Sequence, residues 1–311
     1  MIYVVGAGYM AKEYLKVIKK IDQDALVISK TKNSATAIEN EFGFHCFDGG
    51  YESFNTVVDK KDVAVICTPV ETLFSCTKHF IKIGFKRILV EKPGALNVKD
   101  LEELKSLALV SSCEVFIGYN RRFFSSVHHL RQILKTEELV AVNFEISEWT
   151  HRMVLDDYCE EVLKNWFISN TSHVVDLVFD IAGVPSDLSC YTGGALEWHP
   201  SASRFSGSGH TNRNVLLNYI GYWDSPGRWS VEFMTLENRY ILRPMEKLSR
   251  QKKGSINVTD IEEVDYSDDQ ITKPGLLKMF KCFFYENYAG LCDLDEQIER
   301  LKIYNKMANY H

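Results

Sequence analysis

The chain lacks several features that would place it in other classes of protein. Its 311 residues carry 36 Lys and Arg against 42 Asp and Glu, a formal net charge of −6, so no excess of positive charge is available for nucleic-acid phosphates. Its apolar runs have the length of strands and fall far short of the ~20 residues that a membrane-spanning helix needs. The sequence therefore predicts neither a nucleic-acid-binding nor a membrane protein.

The sequence also predicts neither a Cys-x-x-Cys site nor a signal peptide. The chain has 8 cysteines, and no two of them stand as Cys-x-x-Cys. Zinc ligands would have to come from scattered positions, so no metal site is expected. The N-terminal residues have no basic region followed by an apolar run and a cleavage site. Reduced, mostly buried cysteines without a leader predict a cytoplasmic protein.

The first part of the chain alternates strand-like and helix-like segments. Apolar strands are predicted at residues 2–5, 25–29, 63–67, 87–91 and 114–118, with helical segments between them. Strands separated by helices of this length imply right-handed crossovers and a parallel sheet. We therefore expect an α/β fold whose residues 1–122 form a Rossmann domain with a doubly wound parallel sheet.

The pattern changes after about residue 122. Strand-like runs at 139–149, 188–192, 213–222, 228–235 and 239–243 then dominate, and several alternate apolar and polar residues. Such alternation is typical of a sheet with one covered face. Residues 123–311 are expected to form an α+β domain with an open-faced sheet. Because covering the open face with a second subunit is the simplest solution, a homodimer or homotetramer is expected.

The turn after the first strand carries a phosphate-binding pattern. Gly6, Gly8 and Ala11 follow a strand and precede a helix. Gly6 permits a tight turn, Gly8 lets the backbone approach a pyrophosphate, and Ala11 lets helix and strand pack closely. The helix N-terminus adds unpaired N–H groups and a partial positive charge. These residues predict a dinucleotide site.

The residues that would read the cofactor's 2′ position contain no carboxylate. An NAD-preferring site usually has Asp or Glu at the end of the second strand. This chain has Ser29, Lys30, Thr31 and Lys32 there, which offer two ammonium groups and two hydroxyls. That set suits a 2′-phosphate, so NADP(H) is favoured over NAD(H). The alternative is that the lysines are solvated and either cofactor is used.

Five signatures occur in a fixed order along nearly the whole chain. They are the N-terminal GAGYMA, Thr68-Pro69, Glu91-Lys92-Pro93, the GYNRRF segment at 118–123, and His173-x-x-Asp176. Together they resemble the Gfo/Idh/MocA family of two-domain NAD(P)-dependent oxidoreductases, which includes glucose–fructose oxidoreductase and inositol dehydrogenase. The resemblance implies hydride transfer between nicotinamide and a sugar, sugar nucleotide or cyclic polyol.

Three residues suit the proton chemistry that such a reaction needs. Lys92 lies beyond the carboxyl end of a parallel strand, where open α/β sheets bind ligands, and a partly desolvated lysine can act as general acid/base. His173 and Asp176 are spaced i, i+3 and share a helix face. His173 would assist the proton transfer, and Asp176 would orient it or hold a substrate hydroxyl. The alternatives are a salt bridge for Lys92, a satisfied core position for His173, and a local cap for Asp176.

The resemblance also implies contacts to cofactor and substrate. The cofactor contacts are Tyr9, Met10, Thr68, Pro69, Glu91, Asn120 and Arg121. Trp166 would wall the nicotinamide pocket, or else it is an ordinary core residue. For a polyhydroxylated substrate the segment at 149–166 offers Arg152 and Tyr158.

One position departs from the family pattern. Ser169 stands where the family has Asp, one helical turn before the histidine, and Asn170 follows it. Ser169 does not ionise near neutral pH, whereas Asn170 can hydrogen-bond substrate or the imidazole. Two further functions therefore stay open. They are a non-catalytic NAD(P)-binding sensor and a reductase of an imine or conjugated substrate.

Overall fold

A computed structural model of the chain describes residues 1–310. These residues form fifteen strands, ten α-helices and several single turns of tighter or wider helix. The strands are β1 (Ile2–Val5), β2 (Ala25–Ser29), β3 (His45–Asp48), β4 (Val63–Ile66), β5 (Arg87–Glu91), β6 (Glu114–Gly118), β7 (Leu139–Glu145), β8 (Pro185–Gly193), β9 (Arg204–Thr211), β10 (Leu216–Tyr222), β11 (Ser230–Thr235), β12 (Asn238–Leu242), β13 (Ser249–Lys252), β14 (Val258–Asp260) and β15 (Cys292–Asp293). The helices are α1 (Tyr9–Lys20), α2 (Lys32–Phe42), α3 (Leu73–Lys82), α4 (Val98–Val110), α5 (Ser125–Ile133), α6 (Glu160–Lys164), α7 (Ser172–Ala182), α8 (Ser267–Ile271), α9 (Leu276–Phe284) and α10 (Leu294–Ala308).

The chain divides into two compact units. The first comprises Met1–Tyr119 and Leu276–Glu299, and the second comprises Asn120–Gly275 and the stretch that begins at Arg300. The segment Leu276–Glu299 joins the first unit because β15 pairs with β6 and α9 packs against α1. The first division falls between Tyr119 and Asn120, close to the boundary expected after Arg122.

The first unit is built on a seven-stranded sheet of strand order β15-β6-β5-β4-β1-β2-β3. All neighbours are parallel except β15, which runs antiparallel to β6. Strand β1 lies between β2 and β4, where the strand order reverses. In open α/β sheets this reversal opens a crevice at the carboxyl ends of the strands, which is where ligands bind. The expected doubly wound Rossmann sheet is confirmed.

The central strands of this sheet form because they are short apolar runs that can be buried on both faces. Every residue of β1, β4 and β5 is buried. Helix α1 is amphipathic and buries Tyr14, Leu15 and Ile18, as the sequence pattern predicted. The predicted ranges of β1, β2, β5 and β6 agree with the structure residue for residue, and β4 ends one residue earlier than expected.

The second unit is built on an eight-stranded sheet of order β14-β13-β12-β11-β7-β10-β9-β8. Its strands are antiparallel to their neighbours except for the parallel pair β7 and β10. Residues of β10 alternate between exposed and buried, and α7 packs on β7 and β11. One face is therefore covered within the unit, as expected for an open-faced α+β sheet.

The second unit differs from expectation in its helices and strands, and β13 and β14 are among the strands that were not predicted. The helix predicted over 157–182 is divided into α6, a π-helical turn at Phe167–Thr171, and α7. Strand β9 was not predicted, because its sequence contains Gly207 and Gly209 in place of apolar residues. Both glycines are required by close approach of β8, since a Cβ at Gly209 would overlap the carbonyl oxygen of Asp187.

Candidate functional site

The turn between β1 and α1 has the backbone that the glycine pattern predicts. Gly6 has a φ of +114°, and a Cβ there would lie 2.6 Å from the carbonyl oxygen of Cys67. Its amide donates to the carbonyl oxygen of Ile28 at 2.9 Å. Gly6 is therefore fixed by both conformation and packing.

At Gly8, neither the backbone conformation nor the packing requires a glycine. Gly8 caps α1 in an extended conformation, and apart from its chain neighbours no described atom lies within 4 Å of the place where its Cβ would stand. The first turn of α1 contains no acidic residue that would repel an anion. Ala11 is fully buried, which lets α1 pack closely on the sheet. The space at Gly8 above a helix N-terminus fits the pyrophosphate of a dinucleotide.

Two further predicted contacts border this turn. The backbone nitrogen of Thr68 lies 3.4 Å from the Cβ position of Gly6. The Thr68 hydroxyl is buried beside the thiol of Cys76, which is a weak hydrogen-bond partner. Pro69 and Tyr9 are exposed and Met10 is half-buried. A buried hydroxyl beside the turn fits a cofactor contact.

The four residues predicted to contact a 2′-phosphate differ in their accessibility. Ser29 is buried and its hydroxyl bonds to Ser34, while the Thr31 hydroxyl caps α2 by accepting from the Ser34 amide. Lys30 and Lys32 are exposed. The two hydroxyls are thus engaged in local structure, and the two ammonium groups are the accessible part of the set. Sequence reasoning missed Asp48, an exposed carboxylate at the position that pairs with Ser29 in β3.

The Glu91-Lys92-Pro93 segment ends β5 at the same edge of the sheet. Glu91 is buried, and its Oε1 accepts from the Tyr14 hydroxyl at 2.9 Å. Burial, and next the Glu91 carboxylate, raise the pKa of Tyr14 well above its usual value, so Tyr14 remains a donor. Lys92 is half-buried. The Pro93 carbonyl accepts from Gln297 at 2.9 Å, which anchors the backbone that carries Lys92.

In the second unit, His173 and Asp176 lie in the first half of α7. His173 is 6% exposed. Asp176 is fully buried and receives two hydrogen bonds from Arg122, Nε to Oδ2 at 2.8 Å and Nη2 to Oδ1 at 2.7 Å. Arg300 also pairs with Oδ1. The carboxylate of Asp176 is thus bonded to two arginines and not to the His173 ring, and its assignment as a catalytic residue stays a prediction.

Asn120 and Arg121 open the second unit. The Asn120 side-chain amide donates to the Pro274 carbonyl at 2.9 Å. The Arg121 guanidinium lies 4.7 Å from the ring centroid of Trp229. Both side chains therefore stabilise their own unit, and their contact with the nicotinamide end of a cofactor stays a prediction.

The aromatic candidates form a cluster. The ring of Trp166 meets Tyr158 edge-on at 5.0 Å and Trp198 at 6.1 Å between centroids. Tyr158 and Trp198 line a cleft of about 420 Å³ with Asp156, Glu160, Lys164 and Glu197 among its other walls. Trp166 is buried and its Nε1 has no hydrogen-bond partner among residues 1–310. Arg152 instead lies over the ring of Trp149, at 4.7 Å.

A carboxylate that sequence reasoning missed lies next to Asn170. The Ser169 hydroxyl donates to the Asn165 carbonyl at 3.0 Å, within its own helix. Asn170 Nδ2 lies 3.0 Å from each carboxylate oxygen of Glu148, and Thr171 Oγ1 lies 2.6 Å from Oε1. Glu148 is 5% exposed. Its only signal in the sequence is an acidic residue in an apolar segment after β7. Over the described part of the chain, no group of three or more His, Cys, Asp or Glu is placed to hold a metal ion.

Comparison with known proteins agrees with this geometry. Residues 1–119 match the model of the oxidoreductase family with an NAD-binding Rossmann fold, GFO/IDH/MocA. UDP-N-acetylglucosamine 3-dehydrogenase of Acidithiobacillus ferrooxidans is 24% identical over 129 residues, 42% of this chain and 40% of that protein. Glucose-6-phosphate 3-dehydrogenase of Bacillus subtilis is 24% identical over 140 residues, 44% of this chain and 38% of that protein. The matches thus span about two fifths of each relative.

The likeness in fold extends further than the likeness in sequence. The solved structure of the Acidithiobacillus ferrooxidans dehydrogenase superposes with a TM-score of 0.76 and 16% identity, covering 99% of this chain and 96% of that chain. The fold and the glycine turn at 6–11 define a Rossmann-fold protein whose residues 1–119 match a family with an NAD-binding Rossmann fold. Over residues 1–119 the chain is similar to the GFO/IDH/MocA oxidoreductases.

Proposed function

We propose that the chain is an NAD(P)-dependent oxidoreductase acting on a CH–OH group of a sugar or sugar nucleotide. The observation that carries the proposal is the open space at Gly8, which no described side chain fills, at the N-terminus of a helix without an acidic first turn. The match of residues 1–119 to an oxidoreductase family supports it. The dinucleotide, when bound, would accept or donate the hydride.

Lys92 and His173 are the residues to which the proposal assigns the proton. Lys92 follows β5 on a backbone anchored by Gln297, and its amine would take the proton of the substrate hydroxyl or return it. His173, buried on α7, would assist. Asp176, paired with Arg122, would hold α7 in place as a positioning residue.

The cofactor preference follows from the ribose end of the site. Lys30 and Lys32 are exposed and give positive charge where a 2′-phosphate would lie, which favours NADP(H). Asp48 opposes this preference, because its carboxylate stands at the neighbouring strand end. The proposal is that the two lysines outweigh the single carboxylate.

The substrate class follows from the named relatives and from the second unit. Two relatives are named as 3-dehydrogenases of a nucleotide sugar and a sugar phosphate. Aromatic rings and polar groups line the cleft at Tyr158 and Trp198, a combination that suits the apolar faces and hydroxyls of a hexose. A sugar or sugar nucleotide is therefore the substrate class to test first.

The proposal includes self-association through the uncovered face of the second sheet. Leu216, Ile220 and Tyr191 are exposed on β10 and β8, and the register places Ile220 and Tyr191 opposite the same residue of β9. A homodimer or homotetramer that buries this face would give a mass by light scattering of two or four chains. Leu216→Glu should then yield the monomer mass, and a wild-type monomer at micromolar concentration would contradict self-association.

A second function is favoured by one observation. Ser169, in the position of the family's Asp, donates to a backbone carbonyl and does not ionise near neutral pH. A chain without this carboxylate would bind the dinucleotide and report it to a partner without turnover. This sensor function predicts tight cofactor binding and no reaction with any sugar.

One experiment separates the two functions. The purified chain is incubated with NADP⁺ or NAD⁺ and a panel of sugars and nucleotide sugars, and reduction is followed at 340 nm. Oxidoreductase function predicts turnover that Lys92→Ala lowers by ~10²–10⁴-fold. Lys99→Ala, an exposed lysine on the following helix, is the matched control and should leave turnover unchanged. Turnover unaffected by Lys92→Ala would refute the mechanism, and cofactor binding without any turnover would favour the sensor.

A further inference from the structure

Glu148 is a buried carboxylate that none of the family signatures includes. It lies three residues after β7, its backbone amide donates to the Tyr222 carbonyl at 3.3 Å, and its side chain is 5% exposed. Glutamate is rarely buried unless it is paired or hydrogen-bonded, because desolvation of the charge is costly. The partners of Glu148 therefore show what this buried charge is arranged to hold.

Two of the hydrogen-bond donors to Glu148, Asn170 and Thr171, come from the turn that leads into α7. Asn170 Nδ2 lies 3.0 Å from Oε1 and from Oε2, and the Thr171 hydroxyl donates to Oε1 at 2.6 Å. Thr171 is fully buried. An ionised carboxylate is an acceptor only, so this set of donors matches its charged form. The turn itself is π-helical, a geometry that occurs frequently at functional sites.

The carboxylate fixes which end of the Asn170 amide is presented outward. Because Nδ2 donates to Glu148, the amide is oriented with Oδ1 on the other side. Oδ1 makes no hydrogen bond to the residues that the structure describes, and the side chain is half-buried. Asn170 is thereby an acceptor for a hydroxyl, one helical turn before His173.

We propose that Glu148 is a positioning residue of the substrate half of the site. It holds Asn170 as a hydrogen-bond acceptor and supplies a carboxylate to the turn before His173, where Ser169 supplies none. The inference rests on the proposed oxidoreductase function. Glu148, from the segment after β7, would supply the carboxylate that the chain lacks at Ser169.

The chain offers a matched control at the other end of β7. Glu137 accepts hydrogen bonds from Asn238, Thr235 and Tyr240, so it too is a carboxylate held by an amide and hydroxyls. It precedes β7, whereas Glu148 follows it. A purely structural carboxylate should affect unfolding in the way Glu137 does and leave kcat unchanged.

The test compares Glu148→Gln, Asn170→Asp, the double variant and Glu137→Gln in the full chain. Glu148→Gln should lower kcat by ~10–100-fold, because misplacement of a site group by ~1 Å has effects of this size, with the Kd for NADPH unchanged. Asn170→Asp alone places two carboxylates at about 3 Å and should be at least as impaired. The double variant exchanges amide and carboxylate, restores the hydrogen bond, and should recover most of the lost kcat.

The outcomes separate the inference from the function on which it rests. Recovery in the double variant, with Glu137→Gln at wild-type kcat, supports the positioning role. Wild-type kcat in Glu148→Gln, or a double variant no more active than Glu148→Gln, overturns the inference while the oxidoreductase function stands. A wild-type chain that turns over no substrate overturns the function, and the inference with it.

Discussion

The turn after β1 and the turn before α7, the two parts of the proposed site, are held in shape in different ways. At the first, Gly6 and Gly8 lie two residues apart, and the backbone itself forms the cradle. At the second, the amide of Asn170 is held by Glu148, which lies 22 residues earlier in the chain and beyond a separate helix. Six consecutive residues are enough to form a site from backbone groups. A site formed by side chains requires that two distant segments of the chain pack together.

The same contrast holds for the charges in the two units. Around Gly8 the important feature is an absence of acidic residues in one helical turn. Around α7, Asp176 is compensated by Arg122, 54 residues earlier, and by Arg300, 124 residues later. The segment around α7 therefore depends on long-range polar contacts, whereas the turn after β1 depends on local conformation, and four predictions probe this difference.

The largest effect is expected at the ion pair of α7. Asp176→Asn leaves the Arg122 and Arg300 guanidinium groups buried without their carboxylate, which should lower the free energy of unfolding by about 3–5 kcal/mol. Urea unfolding followed by circular dichroism measures this. Asp180→Asn is the control in the same helix, because its carboxyl is more exposed and its loss should cost less. An Asp176→Asn variant of wild-type stability that loses only kcat would show that Asp176 is catalytic.

The glycines of the turn after β1 should separate folding from binding. Gly6→Ala forces a Cβ against the Cys67 carbonyl in a positive-φ conformation and should cost about 1–3 kcal/mol of stability. Gly8→Ala has open space and should unfold within about 0.5 kcal/mol of wild type. Its methyl group would occupy the phosphate space, so the Kd for NADPH should rise by ~10-fold or more, measured by fluorescence titration. Equal stability losses in the two variants would contradict the cradle at Gly8.

These glycines also show how much a sequence can reveal. The strands of the first sheet were predictable because each is an apolar run bounded by polar residues or glycine, and β3 was not, since His45–Asp48 is short and partly exposed. The cradle was predictable because its residues are contiguous. Glu148 was not, because the identity of a residue says nothing of its hydrogen-bond partner 22 residues away. The hydroxyls of Ser29 and Thr31 looked available for a cofactor, and packing of α2 engaged both with Ser34.

A smaller effect is expected when the lysines that would favour NADPH are replaced. Replacing Lys30 and Lys32 together by Ser removes the accessible positive charges at the ribose end and should raise the Kd for NADPH by ~10-fold, about 1.4 kcal/mol, with little change for NADH. Lys60 and Lys61, exposed residues before β4 and hence at the opposite edge of the sheet, provide the matched double control. Wild-type affinities that are alike for NADH and NADPH would remove the argument for NADP(H).

The smallest effect is expected from a buried histidine of the second unit. His199 is fully buried, and its ring nitrogens contact the Ala202 carbonyl and the Tyr310 hydroxyl, each at 2.6 Å. Burial lowers the pKa of His199 below its ordinary value, so below about pH 6.5 the unfolded chain binds a proton that the folded chain does not. The stability that this residue contributes is therefore complete above that pH and is lost as the pH falls below it.

This difference is measurable as a pH-dependent melting temperature. Between pH 7.5 and 5.5 the Tm of the wild type should fall, and His199→Gln should reduce that fall by ~2 °C because Gln does not titrate. His45, an exposed histidine on β3 of the first unit, is the control, and His45→Gln should leave the slope unchanged. A slope that His45→Gln reduces as much as His199→Gln would place the acid sensitivity in the first unit. It would then contradict the assignment of the acid sensitivity to the burial of His199.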